Sequence, residues 1–462
     1  MALALALGGC SLTTSSADRC EAAADCRAAF GLGSACGEDG FCRPAAATPR
    51  CTRTFPTHLL RDGLEHRDAF VIGAIADESL ETHRARQQAV QLAFGEARDQ
   101  GGVEGRAVGI VFCTNQVDPS LDELDQRAAT EAVTRYLLDE LAVRAIVGPP
   151  SSDAARAAFE IASTRDALVV SPSASSPALT DLEPPASDEA PGLLWRTVPP
   201  DSLQGRVIAS DLTMRDVERV ALVVQDSSYG NGLADVITAN FGGALSRFAF
   251  SNASERNAAA TSAGAGDFQE VVFISSQTMD ASAFLLFAES FAGFADKRIF
   301  LTDAAKNLDL LTAGAAASAL FPRVRGSAPA PPAGVTYEAF LASYRAEFGV
   351  DARSFSFTAN AYDAAWLTLL GATWATLRET DLGGRSLARG LRRLSSGPEV
   401  RFGVGALGVA RERFGRSEPI DVDGASGGLD YDPSREETTA PIEVWTIRSD
   451  ATGFVAEYAV TP

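Results

Sequence analysis

Residues 141–180 read LAVRAIVGPPSSDAARAAFEIASTRDALVVSPSASSPALT, and this stretch decides the fold. Ala145–Val147 is a short apolar run that stops at Gly148. Ser151, Ser152 and Asp153 then offer N-cap side chains before Ala154–Ser163, where Ala154, Ala157, Ala158 and Ile161 share one helical face. Leu168–Val170 is a second buried-strand run, ended by the Ser/Pro turn 171–177. Two parallel strands joined by one short helix put both serine turns at strand carboxyl ends, where open α/β sheets bind ligands. Hydroxyls and backbone N–H groups beside a helix N-terminus suit a small anion or carboxylate. The same serines also serve as helix caps and turn formers.

Outward from this unit the pattern repeats. Ala69–Ile75 and Ala107–Phe112 read as strands, with a helix through Ala85, Ala89, Leu92 and Ala93 ending at Gly101-Gly102. Glu123–Leu141 reads as one long helix. After the Pro- and acid-rich loop 181–191 and a crossover at 195–200, a second series begins. It comprises helix Leu203–Leu212, strand Arg219–Gln225, helix Leu233–Phe241, strand Glu270–Ile274, helix Ala281–Phe291 and strand Arg298–Leu301. Pro322–Gly334 reads as a linker, Tyr337–Phe348 and Ala359–Leu377 as helices, and 428–433, 442–447 and 453–459 as β. Alternation at this spacing predicts βαβ units in two α/β halves with parallel sheets and a cleft between them.

At 462 residues, two lobes plus appendages is the expectation. A net charge of −20 argues against nucleic acid as a partner, because its phosphates would be repelled. No apolar run reaches the roughly 18 residues of a membrane-spanning helix. The start, MALALALGGC, resembles a lipoprotein signal with Cys10 as the lipidated residue, followed by a polar tether. Cys20, Cys26, Cys36 and Cys42 follow as C-x5-C-x9-C-x5-C, too short a segment for its own core. In an oxidising compartment this reads as a two-disulfide knob, with Cys51 and Cys113 left to pair; connectivity stays open. A zinc site is the weaker alternative, since no C-x2-C pair or nearby ligand His is present. The chain is thus expected to be exported and membrane-anchored, facing the periplasm or cell exterior.

Catalysis has little support. The three histidines, His58, His66 and His83, lie near the amino end, and neither a G-x-S-x-G elbow nor a Walker A loop occurs. Gly403-Val404-Gly405-Ala406-Leu407-Gly408 matches G-x-G-x-x-G outside any clear βαβ unit and reads as a turn. No metal cluster, cofactor or enzymatic activity is expected.

Gly73–Leu80, Gly101–Gly105, the 146–180 block, Gln225–Leu233, Ala361–Ala364 and Gly428–Asp432 together resemble the leucine/isoleucine/valine-binding family of type I periplasmic binding proteins. The resemblance implies two Rossmann-like lobes joined by three hinge crossings and closing on a ligand. It implies that Ser152, Ser173 and Ser175 of the first lobe hold an α-carboxylate through hydroxyls and backbone N–H groups. Asp303 of the second lobe would take the α-ammonium, with Lys306 near enough to neutralise it. Thr82 and Gln277 stand at positions the family often fills with aromatics, Tyr229 is retained, and Asp77 and Glu78 occupy a first loop that is usually uncharged. These departures favour a polar or cationic amino acid, or another small polar compound.

The expected division is a signal segment at 1–10, a tether and Cys-rich segment at 11–66, lobe 1 at 67–197 and 327–425, lobe 2 at 198–326, and a closing segment at 426–462 mainly with lobe 2. The expected function is a solute-binding lipoprotein that captures an amino acid or similar small polar ligand for an ABC-type importer and its permease. A ligand-binding sensory receptor without a transport role, or a structural lipoprotein with a degenerate cleft, are the alternatives.

Overall fold

The structure, a computed structural model, describes residues 19–461; Cys10 and the signal segment lie outside the described residues. The amino-terminal module holds helix α1 (Ala23–Phe30) and the hairpin β1 (Ser34–Cys36) and β2 (Cys42–Pro44). Disulfides Cys20–Cys36 and Cys26–Cys42 close it, and Cys51–Cys113 ties its end to the body.

Two sheets follow. The first contains β3 (Arg53–Phe55), β4 (Phe70–Ala76), β5 (Val108–Thr114), β6 (Ala145–Val147), β7 (Leu168–Ser171) and β8 (Leu194–Arg196) in the order β3-β5-β4-β6-β7-β8. Every pair is parallel except β3, which lies antiparallel on the β5 edge. This sheet therefore recruits residues upstream of 67, where the lobe was expected to begin, and Cys51 pins that added strand beside Cys113 of β5. Helices α2 (Glu81–Asp99), α3 (Gln126–Arg135) and α4 (Ser152–Ala162) make its crossovers.

The second sheet contains β9 (Arg219–Gln225), β10 (Ala244–Phe250), β11 (Glu270–Ile274), β12 (Arg298–Leu301) and β13 (Val324–Pro329), with two later strands added at one edge. Helix α5 (Asp201–Met214) leads into β9, and the crossovers include α6 (Ser228–Asn240), α7 (Ala253–Ala265), α8 (Thr278–Ser290) and α9 (Leu308–Ala313). The parallel orders β5-β4-β6-β7-β8 and β10-β9-β11-β12-β13 are the same topology, second strand outside first and then third, fourth and fifth. Each sheet has its switch point between its first and third strands, where a crevice opens at the carboxyl ends. Both sheets aim that end at one shared cleft. All seven residues of β4 are buried, because helices cover both faces of a parallel sheet.

Three segments cross between the lobes: 196–201, 329–335 and 428–442. Between the second and third come α10 (Val335–Phe348), α11 (Thr358–Arg378), α12 (Gly384–Leu391) and α13 (Ala406–Gly415), with a small sheet of β14 (Glu399–Arg401), β15 (Asp421–Gly424) and β16 (Gly427–Gly428). Helix α11 is buried around most of its surface and packs against α2, α12 and α13 of the first lobe. After the third crossing β17 (Ile442–Ile447) and β18 (Phe454–Val460) extend the second sheet antiparallel.

Some expectations change. The Pro322–Gly334 linker contains β13, with Pro322 in the preceding 3-10 turn and Pro329 closing the strand. The 428–433 stretch is coil beyond Gly428, holding Tyr431 against Trp195 with ring centroids 4.7 Å apart. The long helix expected from Glu123 starts at Gln126, because the Asp125 side chain accepts the Ala128 N–H at 2.8 Å. It then ends in a π turn over Tyr136–Glu140.

Candidate functional site

A cavity of about 270 Å³ lies between the two crevices. The first lobe reaches it through the turn after β6. Gly148 (φ 90°) starts that turn, and a Cβ there would lie 2.3 Å from the Ile75 carbonyl oxygen. Ser151 caps α4, its hydroxyl accepting the Ala154 N–H, so Ser152 sits in the first turn with its side chain buried at the cavity wall. The Ser152 hydroxyl oxygen accepts the Ser176 N–H at 3.2 Å, joining the two serine turns.

All seven residues singled out from the sequence, Thr82, Ser152, Ser173, Ser175, Tyr229, Gln277 and Asp303, line this cavity. Their settings differ. Gln277 is exposed at the rim. Ser173 donates its hydroxyl to the Pro150 carbonyl at 2.9 Å and accepts Arg86 Nη1 at 2.9 Å. Asp303 Oδ1 accepts the Tyr229 hydroxyl and Gln204 Nε2, the latter at 3.3 Å, whereas Oδ2 has no side-chain donor among the described residues. Lys306 does not neutralise Asp303; its ammonium pairs with Glu443. Asp77 and Glu78 turn away as well. Asp77 accepts the Ser79 N–H at 3.0 Å, and Glu78 pairs with Arg53 at 2.9 Å.

Arg86, which sequence reasoning missed, is the cavity's buried cation. It projects from α2 on the stripe of Ala85, Ala89, Val90 and Ala93, and a charge on that apolar stripe is the signal that could have found it. Its Nε donates to the Ser356 carbonyl at 3.0 Å and Nη2 to Ser356 Oγ at 3.1 Å. Of the five guanidinium N–H groups, three are committed to Ser173 and Ser356; one remains on each terminal nitrogen, a fork suited to a carboxylate. Burial lowers the Arg86 pKa to about 9, while the charge of Asp303 across the cleft opposes that fall, so the group stays cationic at neutral pH. A buried cation thus lines the cavity beside the serine donors that the resemblance implies.

The guanidinium lies over the Phe357 ring, 5.2 Å from its centroid. Phe357 is the N-cap of α11 in the left-handed region (φ 61°, ψ 19°). That conformation costs a non-glycine residue roughly 1–2 kcal/mol. Together with buried Tyr229 it supplies the aromatic surface that positions 82 and 277 lack.

On the opposite wall Asp303 stands near Asp201, a buried residue in the first turn of α5. Burial, then the neighbouring Asp303 charge, pushes the Asp201 pKa well above the usual carboxylate range, and burial raises Asp303 too. Oδ2 of Asp201 has no hydrogen-bond partner among the described residues. His83, beside Arg86, is lowered to about 3 by burial and then by the Arg86 charge, so its imidazole is neutral. A buried cation on one wall and the Asp303 carboxyl on the other suit a zwitterion laid across the cleft.

The chain matches the receptor family ligand binding region over residues 74–384, more than half its length. It belongs to that family. This receptor-family chain has the type I periplasmic binding fold. It is similar to the chemotactic signal transduction system substrate-binding protein BasB of Halobacterium salinarum, 28% identical over 76% of this chain and 80% of that protein. Among solved structures it resembles the branched-chain amino acid transporter substrate binding protein LivJ from Streptococcus pneumoniae, in complex with isoleucine (21% identity, TM-score 0.63). That alignment covers 85% of this chain and 100% of that one. It also resembles a solute binding protein of an ABC transporter from R. palustris in complex with 4-hydroxybenzoate, at 14% identity and TM-score 0.64, covering 85% and 96%. The structural matches carry the fold, and the family is one of ligand-binding proteins. No helix among the described residues is long and apolar enough to cross a membrane.

Proposed function

We propose that this protein is an extracytoplasmic solute-binding protein whose cleft captures an amino acid or a close zwitterionic analogue. One observation supports this reading most: Arg86, with two uncommitted N–H groups, faces the Asp303 wall across a cavity of about 270 Å³. The ligand carboxylate would take Arg86 together with Ser152 in the first turn of α4, where the helix dipole adds to the attraction, and Ser175 in the neighbouring turn after β7. Ser173 acts through Arg86, holding it from behind. The ammonium would take Asp303, with Tyr229 fixing that carboxylate's orientation. Thr82 and Gln277 would close the rim. The three disulfides fit an oxidising compartment, and Cys10 would carry the membrane anchor there.

Delivery to an ABC permease is the primary reading, in line with the transporter roles of the similar solved proteins. Sensing is the second reading, favoured by the similarity to a chemotactic signal transduction protein. Capture itself is tested by thermal shift on ligand-stripped protein with the standard amino acids. A ligand at 100 times its Kd stabilises by about 2.7 kcal/mol. The double variant Ser175→Ala/Asp303→Ala is expected to abolish that shift while keeping the circular dichroism of the parent; an undiminished shift would overturn the site. Co-purification with a permease, against co-purification with a transducer, separates the two roles.

A further inference from the structure

A second, larger cavity of about 570 Å³ adjoins the first on the side of the three crossings. It touches Thr197 and Pro199 of the first crossing, Pro329–Pro332 of the second and Gly428, Leu429 and Thr438–Ala440 of the third. Four residues line both chambers: Asp303, Asn307, Ser356 and Phe357. These shared residues stand between the two chambers. The larger chamber presents apolar surface from Leu308, Ala330, Tyr337, Phe355, Leu429 and Phe454.

Its charged groups beyond the shared residues already have partners. Lys306 is paired with Glu443, and Arg353 with Glu338 and Asp351 at 3.2 and 3.6 Å. A small polar effector would find no free charge to anchor it there. An apolar body would be welcome, provided its head is held elsewhere. The adjoining chamber holds such anchors in Arg86 and Asp303, and Phe357 stands between in a conformation costly for its residue type.

We propose that the two chambers take one ligand: an amino acid whose head binds at Arg86 and Asp303 and whose long, apolar or aromatic-ended side chain passes Phe357 into the crossing-side chamber. This rests on the zwitterion reading of the smaller chamber. It makes the crossing segments themselves part of the binding surface, so the lobes would close onto the side chain as well as the head. A branched aliphatic side chain would leave most of the larger chamber empty.

The test is calorimetric titration of the ligand-stripped protein with L-leucine and with Nε-benzyloxycarbonyl-L-lysine, which keeps the amino-acid head and ends a long arm in a phenyl ring. The long-armed probe is expected to bind about tenfold tighter or better, as burial of an aromatic ring warrants. Ala330→Trp fills the larger chamber and should remove that gain while leaving leucine affinity unchanged. Leu308→Trp, at a half-exposed position that tolerates bulk, should act in the same direction if Ala330→Trp fails to fold. Leucine binding as tightly as the long-armed probe, or folded variants that weaken both probes alike or neither, would overturn the two-chamber inference and leave the zwitterion site standing. Absence of binding by either probe and by every standard amino acid would overturn both.

Discussion

Arg86 and Asp303 are the residues on which recognition turns, and each makes a separable demand. Removing one partner of a buried charge pair typically costs about 2–5 kcal/mol. Arg86→Gln, which keeps a hydrogen-bonding side chain beside Ser173 and Ser356, is therefore expected to weaken amino-acid binding at least about thirtyfold by calorimetry. The Asp201–Asp303 pair adds a pH signature. Both carboxyl pKa values are raised, first through burial, so the pair holds a proton to higher pH than ordinary carboxylates do, and an arriving ammonium group would displace it. Affinity should therefore rise with pH until the ligand's own ammonium deprotonates. Titration in two buffers of different ionisation enthalpy should show proton release on binding, and Asp201→Asn should abolish it. Release that persists in Asp201→Asn would place the proton elsewhere. Of these groups Asp303, Ser152, Ser173 and Ser175 were reached through the family resemblance; the βα pattern by itself placed them only at strand ends, where serines and aspartates also serve as caps. Phe357 comes from a loop remote in sequence, and its unusual φ has no local signature. Arg86 carried a signal, a lone charge on a buried stripe, but alternation at strand ends drew attention elsewhere.

At the scale of elements, the sequence was most informative where a strand is covered on both faces. Arg219–Gln225, Glu270–Ile274 and Arg298–Leu301 coincide with β9, β11 and β12, since each is a continuous apolar run inside a parallel sheet. It was least informative at edges. Strand β10 reads ALSRFAF, mostly outside the core on the sheet's outer edge, and the small alanine-rich α7 behind it has no strong apolar stripe. Strand β3 is three residues long and lies beside the Cys51–Cys113 bond. Those cysteines are 62 residues apart, so opening the bond by Cys51→Ala/Cys113→Ala should cost lobe 1 about 4 kcal/mol. Hydrogen exchange at β5 amides, which pair with β3, should accelerate. Unchanged protection there would show that β3 docks without the crosslink. A second element, the third crossing, titrates. Glu436 bridges the Gly192 N–H and Arg392, both at 2.6 Å, close to Glu183. Burial pushes Glu436 up to about 7 from the usual 4.5, against the lowering effect of Arg392. A carboxyl raised in the folded state contributes stability below its unfolded pKa and loses it as pH rises through the folded value. Melting temperature should thus fall between about pH 4.5 and pH 7, and Glu436→Gln should flatten part of that fall. Asp363, raised to about 7 by burial while accepting the Ala425 and Ser426 N–H groups, contributes a slope of the same sign that remains in the variant.

For the whole molecule, the lobes meet not only at the crossings but also across the mouth of the cleft. Asp153 on α4 accepts the Ser228 N–H at 3.1 Å and the Ser228 hydroxyl, while Ser176 Oγ donates to the Ser228 carbonyl at 2.7 Å. The approach is close enough that a Cβ on Gly232 of α6 would lie 2.9 Å from Ser176 Oγ and 3.0 Å from Pro177 Cδ. These contacts join α4 and the turn after β7 directly to α6, so they bias the equilibrium between closed and open lobes. Apparent affinity scales with the fraction of molecules in the competent state, so weakening this bridge should weaken binding even where the substituted residue, as at Gly232, lies outside the cavity lining. Asp153→Ala removes the acceptor, and Gly232→Leu drives a side chain into the seam; each is expected to increase the radius of gyration of the ligand-free protein in solution scattering. Each should also raise the Kd, and saturating ligand should return the scattering curve of Asp153→Ala to that of the parent. Exposed polar bonds of this kind contribute about 1 kcal/mol apiece, so the loss for Asp153→Ala should be about fivefold to thirtyfold rather than total. An unchanged radius with unchanged affinity in both variants would mean that the crossings alone hold the lobes at this angle. The bridge would then be a passive consequence of closure.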